Sequence, residues 1–413
     1  MKMNLNYGTI KAIHWNVLEL LKGISMGTYF NPNNESFTKD KKSEIYIDKT
    51  GLLEFLNKKL GTNNNCISVS HARRFGKSHA AGMIDAYYSL GSNSEALFSD
   101  TEIAEKKSFR EHLNKYNVIH LDVSTFWDYY KDNIVEKIVE YVYDEFKKKY
   151  EDSLDYTKNM SAVLMSIYEQ TKIPFVIIID EWDCVIRNAS DNQLLVHEYL
   201  QFLHSLFKSE ESKKFLALAY ITGILPIKKI KDESALNNFE EYTMVKSKPI
   251  TEYYGFTEEE VRAMLDYYRT TCEFHHTTDE LIEGMKPWYD NYCFATKSYG
   301  RTTMYNACMV LYFVDNYIRN GGEYPDYMLE DNIRTDYNKL RMLVRRDSEF
   351  GEDASIIRRI VEQGYITATL KTGFPARSIT DPRNFVSLLY YFGMLSIDGT
   401  MRGETKLIIP NQV

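Results

Sequence analysis

Residues Cys66 to Tyr87 read CISVSHARRFGKSHAAGMIDAY: an apolar strand, a short basic turn and a helix, with Gly76-Lys77-Ser78 at the join between turn and helix. A turn ending in GKS at a helix N-terminus presents consecutive backbone N–H groups to phosphate oxygens. It also supplies a lysine that reaches the β- and γ-phosphates and a hydroxyl that completes a Mg2+ shell. Lys77 and Ser78 are those two groups, and the candidate nucleotide-binding set is Arg73, Arg74, Phe75, Gly76, Lys77, Ser78 and His79. The first glycine of GxxxxGK[ST] is replaced by His71, so the loop reads HARRFGKS. Arg73 and Arg74 have two readings: contact with phosphates in the same chain, or a basic loop on which a helical domain docks.

A second, independent signal lies downstream. Pro174 to Asp183 reads PFVIIIDEWD, an apolar strand that delivers adjacent carboxylates to the carboxyl edge of a sheet, the Walker B arrangement. In that reading Asp180 joins Ser78 in holding Mg2+, and Glu181 polarises the water that attacks the γ-phosphate. The bland alternatives are a carboxylate that caps the following helix for Asp180 and a solvated neighbour for Glu181. Asp183 reads as a further aid to Mg2+, or equally as a cap or ion-pair partner. The next apolar strand, Phe215 to Ile221, ends in Thr222-Gly223. Thr222 stands where a polar side chain would sense the γ-phosphate, with a turn cap as the alternative.

Strands and helices alternate through the first part of the chain. The pattern predicts helices at 10–21, before 60, at 77–90, 128–150, 158–172 and 192–208. It predicts strands at 118–123 and near 242–245 beside those already named, with the polar stretch Asn31 to Ser43 as an ordered loop or linker. Such alternation specifies a doubly wound α/β domain with ligands at the carboxyl edge of a mostly parallel sheet. The strand at 118–123, interposed between the GKS strand and the Walker B strand, suits the branch of P-loop NTPases that carries a catalytic glutamate. From Gly255 the texture turns helical, with segments at 257–270, 278–286, 304–319, 333–345 and 354–363. A helix at 382–392 and a hairpin of 395–397 with 407–409 then suggest a winged-helix-like module. The expected division is an N-terminal helical extension, 1–45, a P-loop ATPase domain, 46–252, and a helical domain ending in the winged-helix-like module, 253–413.

Composition narrows the function class. With 50 Lys and Arg against 58 Asp and Glu the net charge is −8, which leaves nucleic-acid binding unsupported. The basic residues near the end, Lys371, Arg377, Arg383, Arg402 and Lys406, are too dispersed to suggest a basic face. Five scattered cysteines beside apolar residues read as reduced core thiols. The N-terminus has no signal-peptide core and the longest apolar run is far short of a span, so the expectation is a cytoplasmic protein with no membrane partner. Cys272, His275 and His276, in CEFHH, lack a second pair at zinc-ligand spacing. WYDNYCF at 288–294 reads as aromatic packing within the helical domain.

Taken in order, YIDKT (46–50), ARRFGKS (72–78), IIIDEWD (177–183), TGILPIK (222–228), ALNNFEEYT (235–243), YGFTEEEV (254–261), WYDNYCF (288–294) and NFVSLLYYFGMLSI (384–397) resemble the bacterial AAA-ATPase-like proteins. Those proteins are often fused to a C-terminal nuclease-like domain of the PD-(D/E)xK type. They commonly carry RPRRFGKS, so the missing first glycine is a family trait. His71-Ala72 for Arg-Pro and Trp182 for tyrosine are the departures. LIIPNQV at 407–413 resembles the segment just before the nuclease-like domain. The resemblance implies binding and hydrolysis of ATP with Mg2+, coupled to movement of the helical domain. It is compatible with a homo-oligomer and with an unidentified protein partner. The alternative is a P-loop scaffold that binds nucleotide weakly or not at all and serves as a protein-interaction module.

Overall fold

In the computed structural model the described residues are 27–226, 236–243, 250–295, 299–300, 303–329, 352–371, 373 and 381–412. The helices expected at 10–21 and 333–345 fall outside them.

The core of the first part is a five-stranded sheet of β1 (Cys66–Ser70), β2 (Asn117–Asp122), β3 (Phe175–Asp180), β4 (Leu216–Gly223) and β5 (Glu240–Thr243), in the order β2-β3-β4-β1-β5. Every neighbouring pair is parallel. Strands β1, β3 and β4 are buried along their whole length. That explains their near-continuous apolar sequences, because a parallel sheet is covered on both faces. The chain leaves β1, crosses to the far edge at β2 and comes back inward through β3 and β4 to lie beside β1. The carboxyl ends of β1, β4 and β3 therefore form one edge, where a doubly wound sheet binds its ligands.

Helix α1 (Glu35–Lys42) occupies most of the stretch expected to be a loop. It is almost wholly polar and buries Phe37 alone, so it carries little of the apolar periodicity by which helices are recognised. It packs on α2 (Lys77–Tyr88), the helix that follows the GKS loop, and α2 in turn crosses β2, β3 and β4. The long helix expected at 128–150 is interrupted: α3 (Val123–Tyr130) ends in a turn of 3-10 helix at Lys131–Asn133 before α4 (Ile134–Tyr150). Strand β5 begins two residues earlier than the pattern predicts.

Beyond residue 250 two further units follow. Helices α5 (Glu258–Arg269), α6 (Thr278–Tyr289) and α7 (Ala307–Arg319) pack around Val261, Leu265, Leu281, Met285, Val310 and Phe313 in a core of their own. Helices α5 and α6 both start with a complete capping box, Thr257 with Glu260 and Thr277 with Glu280. Each box satisfies orphan N–H groups at a helix start. Near the end, α8 (Phe385–Tyr391) and the hairpin of β7 (Ser396–Met401) and β8 (Glu404–Ile408) form as expected. A short strand that the sequence pattern does not reveal, β6 (Ile366–Ala368), completes an antiparallel sheet in the order β6-β8-β7. Tyr390, Tyr391 and Leu407 of this unit belong to the same hydrophobic core as the parallel sheet. Among the described residues no helix is long and apolar enough to cross a membrane. None of the five cysteines, all of them among the described residues, is in a disulfide.

The outer edge of β2 is covered by residues 29–31. Phe30 bridges Ile119, and backbone hydrogen bonds run from Asn31 N to Val118 O (2.8 Å) and from His120 N to Tyr29 O (2.9 Å). One carboxylate on α4 fixes this cover: Glu145 accepts from the N–H groups of Thr28 (2.8 Å), Tyr29 (3.0 Å) and Phe30 (2.8 Å). Hydrogen bonds to a charged group contribute about 1.5–3 kcal/mol each at best, and an uncovered edge strand invites pairing with another chain. Glu145→Ala is expected to lower unfolding free energy by about 2 kcal/mol in urea titration and to increase aggregation on mild heating.

Candidate functional site

The loop between β1 and α2 closes with Gly76 at φ +86°, a left-handed conformation suited to glycine, immediately before the first helical residue, Lys77. Arg74 is also left-handed, at φ +68°. Lys77 is buried, and its ammonium donates to the carbonyls of His71 (3.0 Å) and Ala72 (2.9 Å) at the start of the same loop. Burial pushes its pKa down, while Glu181, Asp180 and Asp183 pull it back up. The GKS lysine and the acidic end of β3 thus share one electrostatic environment although about a hundred residues separate them in the chain. Ser78 is exposed in the first turn of α2. His79 is turned away from that cluster: its exposed ring pairs with Asp40 of α1 at 3.0 Å, and that hydrogen bond raises its pKa.

Asp180 ends β3 and is buried. Its Oδ1 accepts from the Thr222 hydroxyl and from the N–H of Glu181 (3.0 Å). Thr222 itself is fully buried at the end of β4, so the position expected to sense a γ-phosphate directly is engaged with the neighbouring carboxylate. Glu181 sits at φ +52°, and its Oε2 accepts from Nη2 of Arg187. Arg187 Nε also donates to Asp183 Oδ2 at 2.9 Å. Asp183, fully buried, accepts from the N–H groups of Ile224 (3.2 Å) and Leu225 (2.8 Å). Asp183 therefore joins two strand ends. Its ion-pair role was one of the two readings the sequence left open. Arg187 was not read from the sequence at all, and its only signal was an arginine four residues after an aspartate on a short helix.

The residues beyond 250 grip the loop from the other side. Gly255 N donates to Phe75 O (3.0 Å), and Cys308 N donates to Arg74 O (3.3 Å). Phe75 meets Tyr292 and Phe294 edge-on at 5.0 and 5.2 Å, and the His71 ring lies 4.3 Å from Phe294 and 5.5 Å from Tyr254. So two aromatics of WYDNYCF pack on the GKS loop, whereas Tyr289 packs among the helices against Phe313. The imidazole of His71 is 3% exposed, and burial, with Lys77 close by, drives its pKa well below the ordinary value. A neutral ring is what the lysine beside it requires. In CEFHH, His275 engages Glu273 and Glu323, and His276 engages the Tyr317 hydroxyl.

A cavity of about 460 Å3 opens beside Phe75 and Gly76. Its walls come from the 45–47 segment with Tyr46, from Tyr253 and Phe256, and from Ala307 and Leu311 of α7. That volume and its largely apolar lining suit a small planar group. The segments YIDKT and YGF are the sequence marks of these walls. Ser78 and Asp180 offer hard oxygen donors of the kind Mg2+ takes, and Asp180 Oδ1 alone is occupied by the hydrogen bonds described. Among the described residues no group of three His, Cys, Asp or Glu side chains is placed to hold a metal.

The family model of the AAA-ATPase-like proteins, described as predicted AAA-ATPase, matches residues 35–232. No curated protein matches the chain in sequence. Among solved structures, CDC6P from Pyrobaculum aerophilum is similar at 10% identity, covering 92% of this chain and 94% of that one with a TM-score of 0.36. AMPPCP-bound DnaA from Aquifex aeolicus is similar at 13% identity, 82% and 80% coverage and a TM-score of 0.32. The Aeropyrum pernix ORC2 protein, in ADPNP-ADP complexes, is similar at 13% identity, 92% and 94% coverage and a TM-score of 0.35. Likeness at that level adds nothing to what the strand order itself shows.

The contact at Gly255 is testable. Its φ is +83°, and a Cβ there would lie 2.7 Å from Phe75 Cδ1 and 2.9 Å from Tyr305 O. Gly255→Ala is expected to cost about 1–3 kcal/mol of stability in denaturant unfolding, through both the strained backbone and the displaced ring.

Proposed function

We infer from this chain's membership of the AAA-ATPase-like family, carried by residues 35–232, that it binds ATP with Mg2+ and hydrolyses it. The observation that carries the reading is the convergence of Lys77 with Asp180 and Glu181 at the carboxyl edge of a parallel sheet, next to an aromatic-walled cavity that begins at Phe75. The triphosphate would lie along the N–H groups of 73–78 with its base in the cavity. Lys77 would exchange the carbonyls of His71 and Ala72 for phosphate oxygens. Ser78 and Asp180 would hold Mg2+, which supplies charge neutralisation at the β- and γ-phosphates. Glu181 would accept the proton of the attacking water, and Thr222 would keep Asp180 oriented and feel the γ-phosphate through it. Arg73 and Arg74 would meet the phosphates from the loop, and His79, in the first turn of α2, would meet the nucleotide from the cavity wall.

We read the chain as three parts, 1–45, 46–252 and 253–413, with nucleotide state passed to the last. What supports this is the grip on the loop: the carbonyls of Arg74 and Phe75 are bonded by Cys308 and Gly255, so a shift of the loop on phosphate binding acts directly on the helices. A scaffold that does not turn over is the second reading. It is favoured by the carboxylate of Glu181 being tied to Arg187 and by the lysine being tied to its own loop.

Lys77→Ala is expected to abolish Mg-ATP binding in calorimetry. Glu181→Gln is expected to keep binding and to slow phosphate release at least ~100-fold, the scale of a lost general base. A wild type that binds without releasing phosphate leaves the scaffold reading standing, and unchanged affinity in Lys77→Ala removes the site assignment.

A further inference from the structure

Arg187 belongs to no motif read in the sequence, and its side chain is 6% exposed between two carboxylates. Neutralising the buried Asp183 needs one ion pair, through Nε. The second bond, from Nη2 to Glu181, is surplus to that need. Glu181 retains 20% side-chain exposure, enough to be solvated alone. Its backbone is already fixed. The turn at 180–184 is held by Glu181 N to Asp180 Oδ1 (3.0 Å), Trp182 N to Thr222 O (3.0 Å) and Cys184 N to Glu181 O (2.9 Å). A non-glycine residue stays at positive φ only where its surroundings over-determine it. What the turn does not fix is the glutamate side chain, which loses rotamer entropy when ordered. A planar guanidinium anchored at one end is well suited to order it.

We propose that Arg187 is the positioning residue of this site: anchored by Asp183 to the loop after Thr222, it holds Glu181 by Oε2 and leaves Oε1 to take the proton of the attacking water. This rests on the ATPase reading above. The link runs from Ile224 and Leu225 through Asp183 and Arg187 to Glu181, so the aim of the base is set by the same strand end that orients Asp180 through Thr222.

The test uses the full chain as wild type, Arg187→Gln, Arg187→Lys, Glu181→Gln and the double variants, with Mg-ATP affinity measured by calorimetry and phosphate release in steady state. Arg187→Gln is expected to bind Mg-ATP within about twofold of wild type and to keep its KM, while kcat falls ~10–100-fold, the scale of a misplaced catalytic group. Arg187→Lys, which keeps a charge beside Asp183 but cannot bridge both carboxylates as a planar fork, should fall between the two. In the Glu181→Gln background neither substitution should reduce turnover further, because Arg187 acts through Glu181. If Arg187→Gln fails to fold, the lysine variant and its double carry the same comparison. Unchanged or raised kcat in the Arg187 variants, or losses that add fully to that of Glu181→Gln, overturn the proposal while leaving the ATPase reading intact. A wild type that releases no phosphate overturns both.

Discussion

The parallel register of β3, β4 and β1 decides what can happen at the carboxyl edge of the sheet. Ile179 lies opposite Ile221, and Ser70 lies opposite Gly223, so Asp180, Thr222 and the first residue of the GKS loop finish side by side. His71 N then continues the ladder by donating to Gly223 O at 3.0 Å. A slip of one residue would turn the Asp180 side chain to the other face and break its bond to Thr222. The burial of every residue in these three strands enforces the register, since any slip would also place polar ends inside a sheet covered on both sides.

Within that edge, opposite charges from three elements face one another. Lys77 from α2, three carboxylates from the end of β3 and its turn, and Arg187 from the following short helix make a compact, largely buried group. Breaking one partner of such a buried set typically costs about 3–5 kcal/mol, so the arrangement is stable only as a whole. His71 fits because it is neutral. A cationic ring at that point would push against Lys77, and the aromatic faces of Phe75, Tyr254 and Phe294 provide an apolar seat for an uncharged one. A glycine in that place would leave the seat unfilled, which gives a physical sense to the departure from GxxxxGK[ST].

The elements legible in the sequence are those whose signal is local. The strands at 66–70, 175–180 and 216–223 are short, largely apolar runs, and the strand at 117–122 shows as apolar–polar alternation. The loop leading to Lys77 and the strand end carrying Asp180 could be read because loop and acidic pair each follow such a run. The helix at 35–42 escaped because it buries a single side chain, and β6 escaped because three residues make no periodic signal. Arg187 and the cavity walls escaped for another reason. Tyr46, Tyr253 and Phe256 come to line one cavity with Phe75 only through the tertiary fold, and Arg187 acquires meaning only when Asp183 is seen to bond the N–H groups of 224 and 225. Tyr292 and Phe294 were read as packing, and their packing partner turned out to be the loop itself.

That partner changes how the last third of the chain relates to the site. The loop touches both later units at once. Through Gly255 and Cys308 it is bonded to the helices with their separate core, and through Phe75 it is packed on Tyr292 and Phe294. Between those two aromatics, Cys293 N donates to the Ser396 hydroxyl at 2.8 Å, and Ser396 in turn donates to Asn291 O, which ties the same stretch to β7. The C-terminal helix and sheet share their core with the parallel sheet, whereas α5, α6 and α7 do not. A displacement of the loop therefore meets a rigid backing on the β7 side and an independently packed body on the α5–α7 side. The helices α5–α7 are thus joined to the loop without sharing the core that ties the C-terminal helix and sheet to β1–β5, so the two later units are held to the site by different means.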